Sequence, residues 1–309
     1  MTGSFMGNQL ALIRRELLEH RAIYVVPGVM AAIMVLAQIT GHASVAAFDK
    51  EIDIALLGAT NLGVNERGAV ISVLLTVFSG FFAIGMLFVM VFYSLDALYA
   101  ERKDRAILFW RSLPVTDAET VISKLVTALF VIPLVSLAAI AVTHLLVLLT
   151  TSFWVGMRGA NAWHLIWEAV PLLDVWAATF IYALSLTLWL APFFGWFLLA
   201  SAYVKRAPTL FAILPLIVLP LLEKTILNST LLFDAIVLRS KSVPIHKSFE
   251  FGTVLNEEMF KKAAAEGVSL VSMLDISRFL TDPSLWAGFI VCALFTTAAI
   301  YVRRFRDDS

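Results

Sequence analysis

Charged side chains are scarce in this sequence. Asp, Glu, Lys and Arg make up 15% of its 309 residues, while hydrophobic residues make up 60%. A soluble domain has about 25% charged and roughly 45–50% apolar residues. A soluble core could not bury this much apolar surface, so the composition predicts an integral membrane protein. The 23 basic and 23 acidic residues balance, which gives no argument for nucleic acid as a partner.

Groups that carry cofactor chemistry are also few. The single cysteine, Cys292, lies in an apolar run and cannot form a disulfide within one chain or a cysteine-based metal site. The five histidines show no H-E-x-x-H pairing, and no glycine precedes a lysine, so the phosphate-cradling loop G-x-x-x-x-G-K-[ST] is absent from the sequence. No Ser/His/Asp arrangement is readable. We therefore expect no catalytic residue, no metal and no bound cofactor in this chain.

Long apolar runs are abundant. A helix needs about 20 apolar residues to cross a bilayer, and six stretches meet or approach that length. Their approximate ranges are 22–40, 70–98, 125–150, 175–203, 209–227 and 285–302. The sequence therefore predicts a single all-α transmembrane domain over 1–309 with six spans. We expect the fourth to be continuous, and the fifth to be broken by Pro215 and Pro220.

Two further helical elements are predicted outside the spans. Residues 5–19 repeat apolar side chains at helical spacing with basic residues between them, which is typical of an interfacial amphipathic helix. The external insertion at about 228–283 contains helix formers at 254–267 and a second apolar pattern at 269–280. We expect a small helical external element there.

Basic residues are distributed unevenly around the predicted spans. Thirteen of the 23 lie on one side, namely Arg14, Arg15, Arg21, Arg102, Lys103, Arg105, Arg111, Lys124, Lys205, Arg206, Arg303, Arg304 and Arg306. Seven of the other ten lie in the long stretch from Lys224 to Arg278, and charge in long loops has little effect on orientation. We therefore expect both termini to be cytoplasmic.

One histidine within a predicted span and four tryptophans near a connection each allow two interpretations. His144 lies well inside the third span, where an ionisable group is costly. It is either a proton-relay or substrate contact, or a neutral histidine bonded to a neighbouring helix. Four tryptophans lie at or near the external connection between spans three and four, and indicate either an aromatic belt at the headgroup level or a lipid- or substrate-facing surface. They are Trp154, Trp163, Trp167 and Trp176.

The loop between spans two and three combines charge with bulky apolar residues. Residues 98–124 read LYAERKDRAILFWRSLPVTDAETVISK. The AILFW segment favours a short amphipathic element at the membrane surface, because burial of one such side chain is worth about 1.5–3 kcal/mol. Thr116 and Glu119 match a capping box, so a new helix should begin near Asp117.

This loop resembles the first cytoplasmic loop of ABC transporter permeases of the type-2 exporter class. The residues that fill the positions of that pattern are Glu101, Arg102, Asp104, Ile107, Leu113, Pro114, Val115, Thr116 and Lys124. The layout of an N-terminal interfacial helix, six spans and an external element before the last span is also similar. The insertion at 228–283 is longer than in many members, and the transported substrate is not indicated.

The resemblance implies a transport function and a set of partners. Two permease subunits, identical or paralogous, would form the pathway in a bacterial inner membrane, with spans one, two and five near the centre. Separate ABC ATPase subunits would bind ATP and magnesium and would contact the loop as a coupling helix. The residues implied for that contact are Glu101, Arg102, Asp104, Arg105, Phe109, Trp110 and Arg111. The alternatives are a non-transporting membrane scaffold or assembly factor, and an intramembrane enzyme such as a protease or a lipid-modifying transferase.

Overall fold

The computed structural model describes residues 5–45, 58–103, 115–241, 243–245, 267 and 269–305. Five of the predicted coupling residues lie outside the described residues: Asp104, Arg105, Phe109, Trp110 and Arg111. The helix predicted at 254–267 also lies outside them, apart from Gly267.

The described residues form ten main helices. In chain order they are α1 (Phe5–Glu19), α2 (Ala22–Val45), α3 (Val64–Lys103), α4 (Asp117–Met157), α5 (Leu172–Trp189), α6 (Ala191–Tyr203), α7 (Pro208–Leu227), α8 (Leu231–Lys241), α9 (Ile276–Thr281) and α10 (Pro283–Phe305). Helices α2, α3, α4, α5, α7 and α10 are long and apolar enough to cross a membrane. The chain is therefore a multi-pass helical membrane protein, as the apolar runs predicted.

The start of α4 has the predicted capping box. Thr116 is the N-cap, and its Oγ1 accepts a hydrogen bond from the Glu119 backbone N–H at 3.1 Å. The Glu119 carboxylate accepts the Thr116 backbone N–H at 2.8 Å in return. Because these bonds satisfy N–H groups that a helix start leaves unpaired, they fix the point at which the loop ends.

The prediction of one continuous fourth span was wrong. Helix α5 ends at Trp189 and α6 begins at Ala191, with Leu190 between them. Pro192 explains the break, since proline has no N–H to donate and its ring clashes with the carbonyl of Leu188, four residues earlier. Trp189 is held at this break by Arg239, whose Nη1 donates to its carbonyl at 2.6 Å.

The predicted break at Pro215 and Pro220 was also wrong. Both prolines lie inside α7, which continues through them and ends in a π-helical turn at Glu223–Leu227. In an apolar medium an unpaired backbone group costs several kcal/mol. The helix therefore gives up the bond that each proline cannot make and keeps the others.

The densest packing lies where α3, α4, α6 and α10 meet. Helices α6 and α10 approach closely at Gly195, where an added Cβ would lie 3.1 Å from the Cys292 carbonyl oxygen. By contrast, only 11% of the residues in the most apolar segments of α2 and α7 are buried, against 39% of those in α3 and α4. Helices α2 and α7 therefore present most of their apolar surface outside the chain.

One face of α3 marks the apolar zone of the molecule. Its exposed apolar residues, the α3 stripe, are Val70, Leu74, Val77, Phe81, Ile84, Phe88 and Phe92. The stripe covers 22 residue steps, or about 33 Å at 1.5 Å per residue, close to the hydrocarbon thickness of a bilayer. It separates an α1 side, where α3 ends, from an opposite side, where α3 begins.

Candidate functional site: a buried ion cluster at the ends of the loop

On the α1 side, beyond the end of the α3 stripe, six ionisable side chains of the described part of the chain meet. They come from four helices and form the ion cluster: Arg15, Glu16, Glu101, Lys124, Asp117 and Arg303. Three are carboxylates and three are cations, so their formal charges balance. Most of them are buried, and the Lys124 side chain has no exposed surface.

Glu101, near the end of α3, is the centre of the ion cluster. One carboxylate oxygen, Oε1, accepts from Arg15 Nη2 at 2.9 Å and lies 3.1 Å from Lys124 Nζ. The other oxygen, Oε2, accepts from Arg303 Nη1 at 2.5 Å. A single side chain thus connects α3 to α1, α4 and α10.

Glu16 forms the second carboxylate centre. Its Oε1 accepts from Lys124 Nζ at 2.7 Å, and its Oε2 accepts from the Tyr93 hydroxyl at 2.8 Å. His20 lies nearby, with its ring edge-to-face against Tyr93. Burial lowers the pKa of His20 despite the Glu16 charge. Lys124 is therefore the main cation paired with Glu16.

The ion cluster specifies an arrangement more than it adds stability. Removal of two charges from water costs several kcal/mol per ion, which their attraction repays only with good geometry and further hydrogen bonds. Removal of one partner from a buried pair, however, costs about 3–5 kcal/mol, because the other charge stays buried and unpaired. Here each carboxylate has at least one cation within 3 Å. The four helices are therefore held in one relative arrangement.

The first end of the loop is held by Arg102 as well as by Glu101. The Nη2 atom of Arg102 donates to the Ser201 and Val204 carbonyls at the end of α6, the latter at 2.9 Å. The Ser201 hydroxyl oxygen accepts from the backbone N–H of Leu98 and Tyr99 at 3.0 and 2.9 Å. The last turns of α3 are therefore bonded to α6 as well as to the ion cluster.

The second end of the loop is held by α1 and α10. Asn8 Nδ2 donates to the Glu119 carboxylate at 3.1 Å, and Gln9 Nε2 donates to the Glu119 carbonyl at 3.1 Å. Asp117 accepts from Arg303 Nε at 2.9 Å. Both ends of the loop are thus connected to the same two helices.

Of the predicted coupling residues, the structure describes Glu101 and Arg102, and both bond within this chain. A contact between either residue and an ATPase stays a prediction. The local sequence does not predict Glu16, Lys124 and Arg303 as partners in this cluster. The available signal was a charged residue between apolar neighbours on a helix, as for Lys124 in VISKLV, because such a charge inside a packed helix requires a partner.

His144 lies on α4, away from the ion cluster, and contacts α3 and α5. The Trp176 indole N–H, which can only donate, bonds to His144 Nδ1 at 3.3 Å. Nδ1 is therefore unprotonated, and Nε2 carries the hydrogen that points to the Leu75 carbonyl at 3.0 Å. Since both nitrogens have partners, the geometry favours the neutral, helix-connecting interpretation over a proton relay.

Comparison of this chain with protein-family models, with curated proteins and with solved structures gave no match.

Proposed function

We propose that this chain is the permease subunit of an ATP-driven exporter of the type-2 ABC class. It works as a dimer with an identical or paralogous permease, and separate ATPase subunits supply the ATP site and magnesium. In this proposal the membrane is a bacterial inner membrane and both termini are cytoplasmic. The six apolar helices and the loop sequence support the proposal.

The observation that carries the proposal is the attachment of both loop ends to the same helices. Glu101 bonds to Arg15 and Arg303, and Asp117 bonds to Arg303. A partner that moves the loop would therefore move α1 and α10 with it, and α6 through Arg102. A conformational change requires a partner with different contacts in its two states, and an ATPase that closes on ATP is such a partner.

In this mechanism the loop residues divide into two groups. Glu101 and Arg102 are positioning residues that fix the first loop end to the helices. Phe109 and Trp110 anchor the loop, and Asp104, Arg105 and Arg111 supply polar contacts to the ATPase. Aromatic and arginine anchors of this kind carry much of the binding energy of protein interfaces.

The proposed dimer is supported by the low burial of α2 and α7. Helices α2, α3 and α7 correspond to spans one, two and five, which the proposal puts near the dimer centre. Gly85 of α3 packs within the chain, because an added Cβ would collide with Met30 of α2. A Cβ on Gly80 would meet no atom of the described residues within 4 Å, so the backbone at Gly80 is open to a partner helix.

The test is purification of the full chain from native membranes under mild conditions. The proposal expects an ATP-binding subunit to co-purify at a fixed ratio, and its ATP hydrolysis to change when the complex is reconstituted in nanodiscs. A chain that purifies without an ATPase, and that changes no hydrolysis when a candidate ATPase is co-expressed, would favour the scaffold alternative.

A further inference from the structure

Arg67, at the start of α3, is a buried cation with an unsatisfied edge. Its side chain is 5% exposed, and its Nη1 donates to the Leu62 carbonyl at 2.6 Å. Its Nε and Nη2 atoms are buried and have no hydrogen-bond partner within the part of the chain that the structure describes. A buried donor left unpaired costs about 1–3 kcal/mol, and more when it is charged, so this edge is suited to a ligand.

The two unsatisfied atoms define the chemistry of that ligand. Nε and Nη2 form one edge of the planar guanidinium group, and two parallel N–H groups on this edge match two oxygens of a phosphate or carboxylate. The nearest acid in sequence, Glu66, is exposed and accepts the Gly63 N–H at 3.0 Å. The edge is therefore arranged for an external oxyanion.

The surrounding backbone adds to this preference. Arg67 lies in the first turn of α3, where unpaired N–H groups and the helix dipole favour a negative charge. This turn packs closely against the backbone of Ala169, because a Cβ added to Gly68 would collide with the Ala169 carbonyl oxygen. The guanidinium group, bonded to the Leu62 carbonyl just before α3, therefore lies near the positive end of that helix.

The depth of Arg67 indicates where the oxyanion comes from. It lies three residues before Val70, the first residue of the α3 stripe, on the side opposite α1. Trp154 and Trp167 pack in the apolar cluster on that side, and Trp163 is 69% exposed. Tryptophans concentrate at the headgroup level of a bilayer, so Arg67 lies where lipid phosphates are abundant.

We propose that Arg67 and the first turn of α3 form a phosphate-binding site that takes the phosphodiester of a lipid headgroup on the side opposite α1. Arg67 supplies a two-bond contact to the phosphate, and the end of α3 supplies the positive field. Inorganic phosphate shares this chemistry, and the experiment separates the two sources. The site lies on the other side of the membrane from the ion cluster and does not depend on the transport function.

The test measures binding of short-chain phosphatidylglycerol to the full chain, purified in an uncharged detergent, by native mass spectrometry. The variants are Arg67→Gln, which removes the charge, and Arg67→Lys, which keeps the charge but not the two-bond edge. The control is Arg158→Gln, which removes a partly exposed arginine that packs over Trp154. We expect roughly tenfold weaker binding in Arg67→Gln, a smaller loss in Arg67→Lys, and wild-type binding in the control.

Thermal unfolding with inorganic phosphate or phosphatidylglycerol identifies the source. We expect phosphatidylglycerol to raise the Tm of the wild type and not that of Arg67→Gln. An equal rise with inorganic phosphate would support the site with a free anion as its ligand. Equal phospholipid binding by the wild type and both Arg67 variants would overturn the proposal. It would also be overturned if Arg67→Gln were more stable than the wild type and the Tm of the wild type did not respond to phosphate. If Arg67→Gln does not fold, the comparison of phosphatidylglycerol binding by Arg67→Lys and by Arg158→Gln decides: weaker binding by Arg67→Lys supports the site, and equal binding overturns it.

Discussion

The Lys124 ammonium group lies 2.7 Å from the Glu16 carboxylate, and both side chains are almost completely buried. The pair joins the N-terminal helix to the start of the third span, 108 residues later in sequence. If either charge left the interior, the other would stay buried and unpaired, which is costly. The N-terminal helix is therefore fixed to the bundle by charge as well as by its apolar face.

The first prediction concerns Glu101, the centre of the ion cluster. Glu101→Gln leaves the ion cluster with one excess positive charge, because Arg15, Lys124 and Arg303 then have only the Glu16 and Asp117 carboxylates to balance them. We therefore expect a loss of about 3–5 kcal/mol in the free energy of unfolding. Unfolding of the purified chain in detergent, followed by tryptophan fluorescence, measures it.

The matched control for this prediction is Glu19→Gln. Glu19 pairs with Arg15 at 2.7 Å, but its side chain is 42% exposed, so its loss should cost less than about 1 kcal/mol. Equal stability losses in the two variants would contradict the assignment of Glu101 as the centre of a buried cluster.

The second prediction concerns the bond between Trp176 and His144. His144→Phe leaves the indole N–H of Trp176 without an acceptor, and we expect it to cost about 1–3 kcal/mol. Trp176→Phe leaves His144 Nδ1 unpaired in the same way. The double variant should cost clearly less than the sum of the two, because neither unpaired group remains. Strict additivity in the unfolding free energies would show that the two side chains do not bond.

The third prediction concerns the proposed dimer. Gly80→Cys in a Cys292→Ala background should form a crosslink between two permease chains in membranes, since the backbone at Gly80 is open and α3 is expected near the dimer centre. Phe153→Cys is the control, because Phe153 is 72% exposed on α4, away from the proposed interface. Crosslinking from Phe153 and not from Gly80, with either an identical or a paralogous partner, would contradict the placement of α3 at the dimer interface.

The fourth prediction concerns orientation. In the Cys292→Ala background, Lys261→Cys should react with a membrane-impermeant thiol reagent in intact cells, whereas Arg105→Cys should react only after the cells are opened. The physical reason is the excess of Lys and Arg that the sequence carries on the side of Arg105. The reverse labelling pattern would contradict six spans with cytoplasmic termini.

The parts of the fold that depend on local sequence could be predicted. Apolar runs identified all six candidate spans, and the Thr116 and Glu119 spacing identified the start of α4. The break at Leu190 was missed although Pro192 marks it, because the apolar run continues through it. Pro215 and Pro220 were given too much weight, since in an apolar medium the helix keeps every bond that proline permits.

The ion cluster could not be predicted from the sequence because its partners are distant along the chain. Arg15, Glu101, Lys124 and Arg303 come from four helices, and local patterns contain no information about which charges meet. The resemblance of the loop predicts a contact between Glu101 and an ATPase. The structure adds internal partners for that carboxylate, and these identify how the loop is connected to the helices.

The measurement that tests the central proposal most directly is ATP hydrolysis by the complex of this chain with its ATPase, in nanodiscs, for variants on the two sides of the membrane. Trp110→Ala and Arg111→Glu change the loop, and Trp163→Ala and Arg158→Glu are matched controls on the opposite side. If the loop is the coupling element, both loop variants release the ATPase or abolish the effect of the permease on hydrolysis, while the controls behave as wild type. Loop variants that keep wild-type association and wild-type hydrolysis would contradict the proposal.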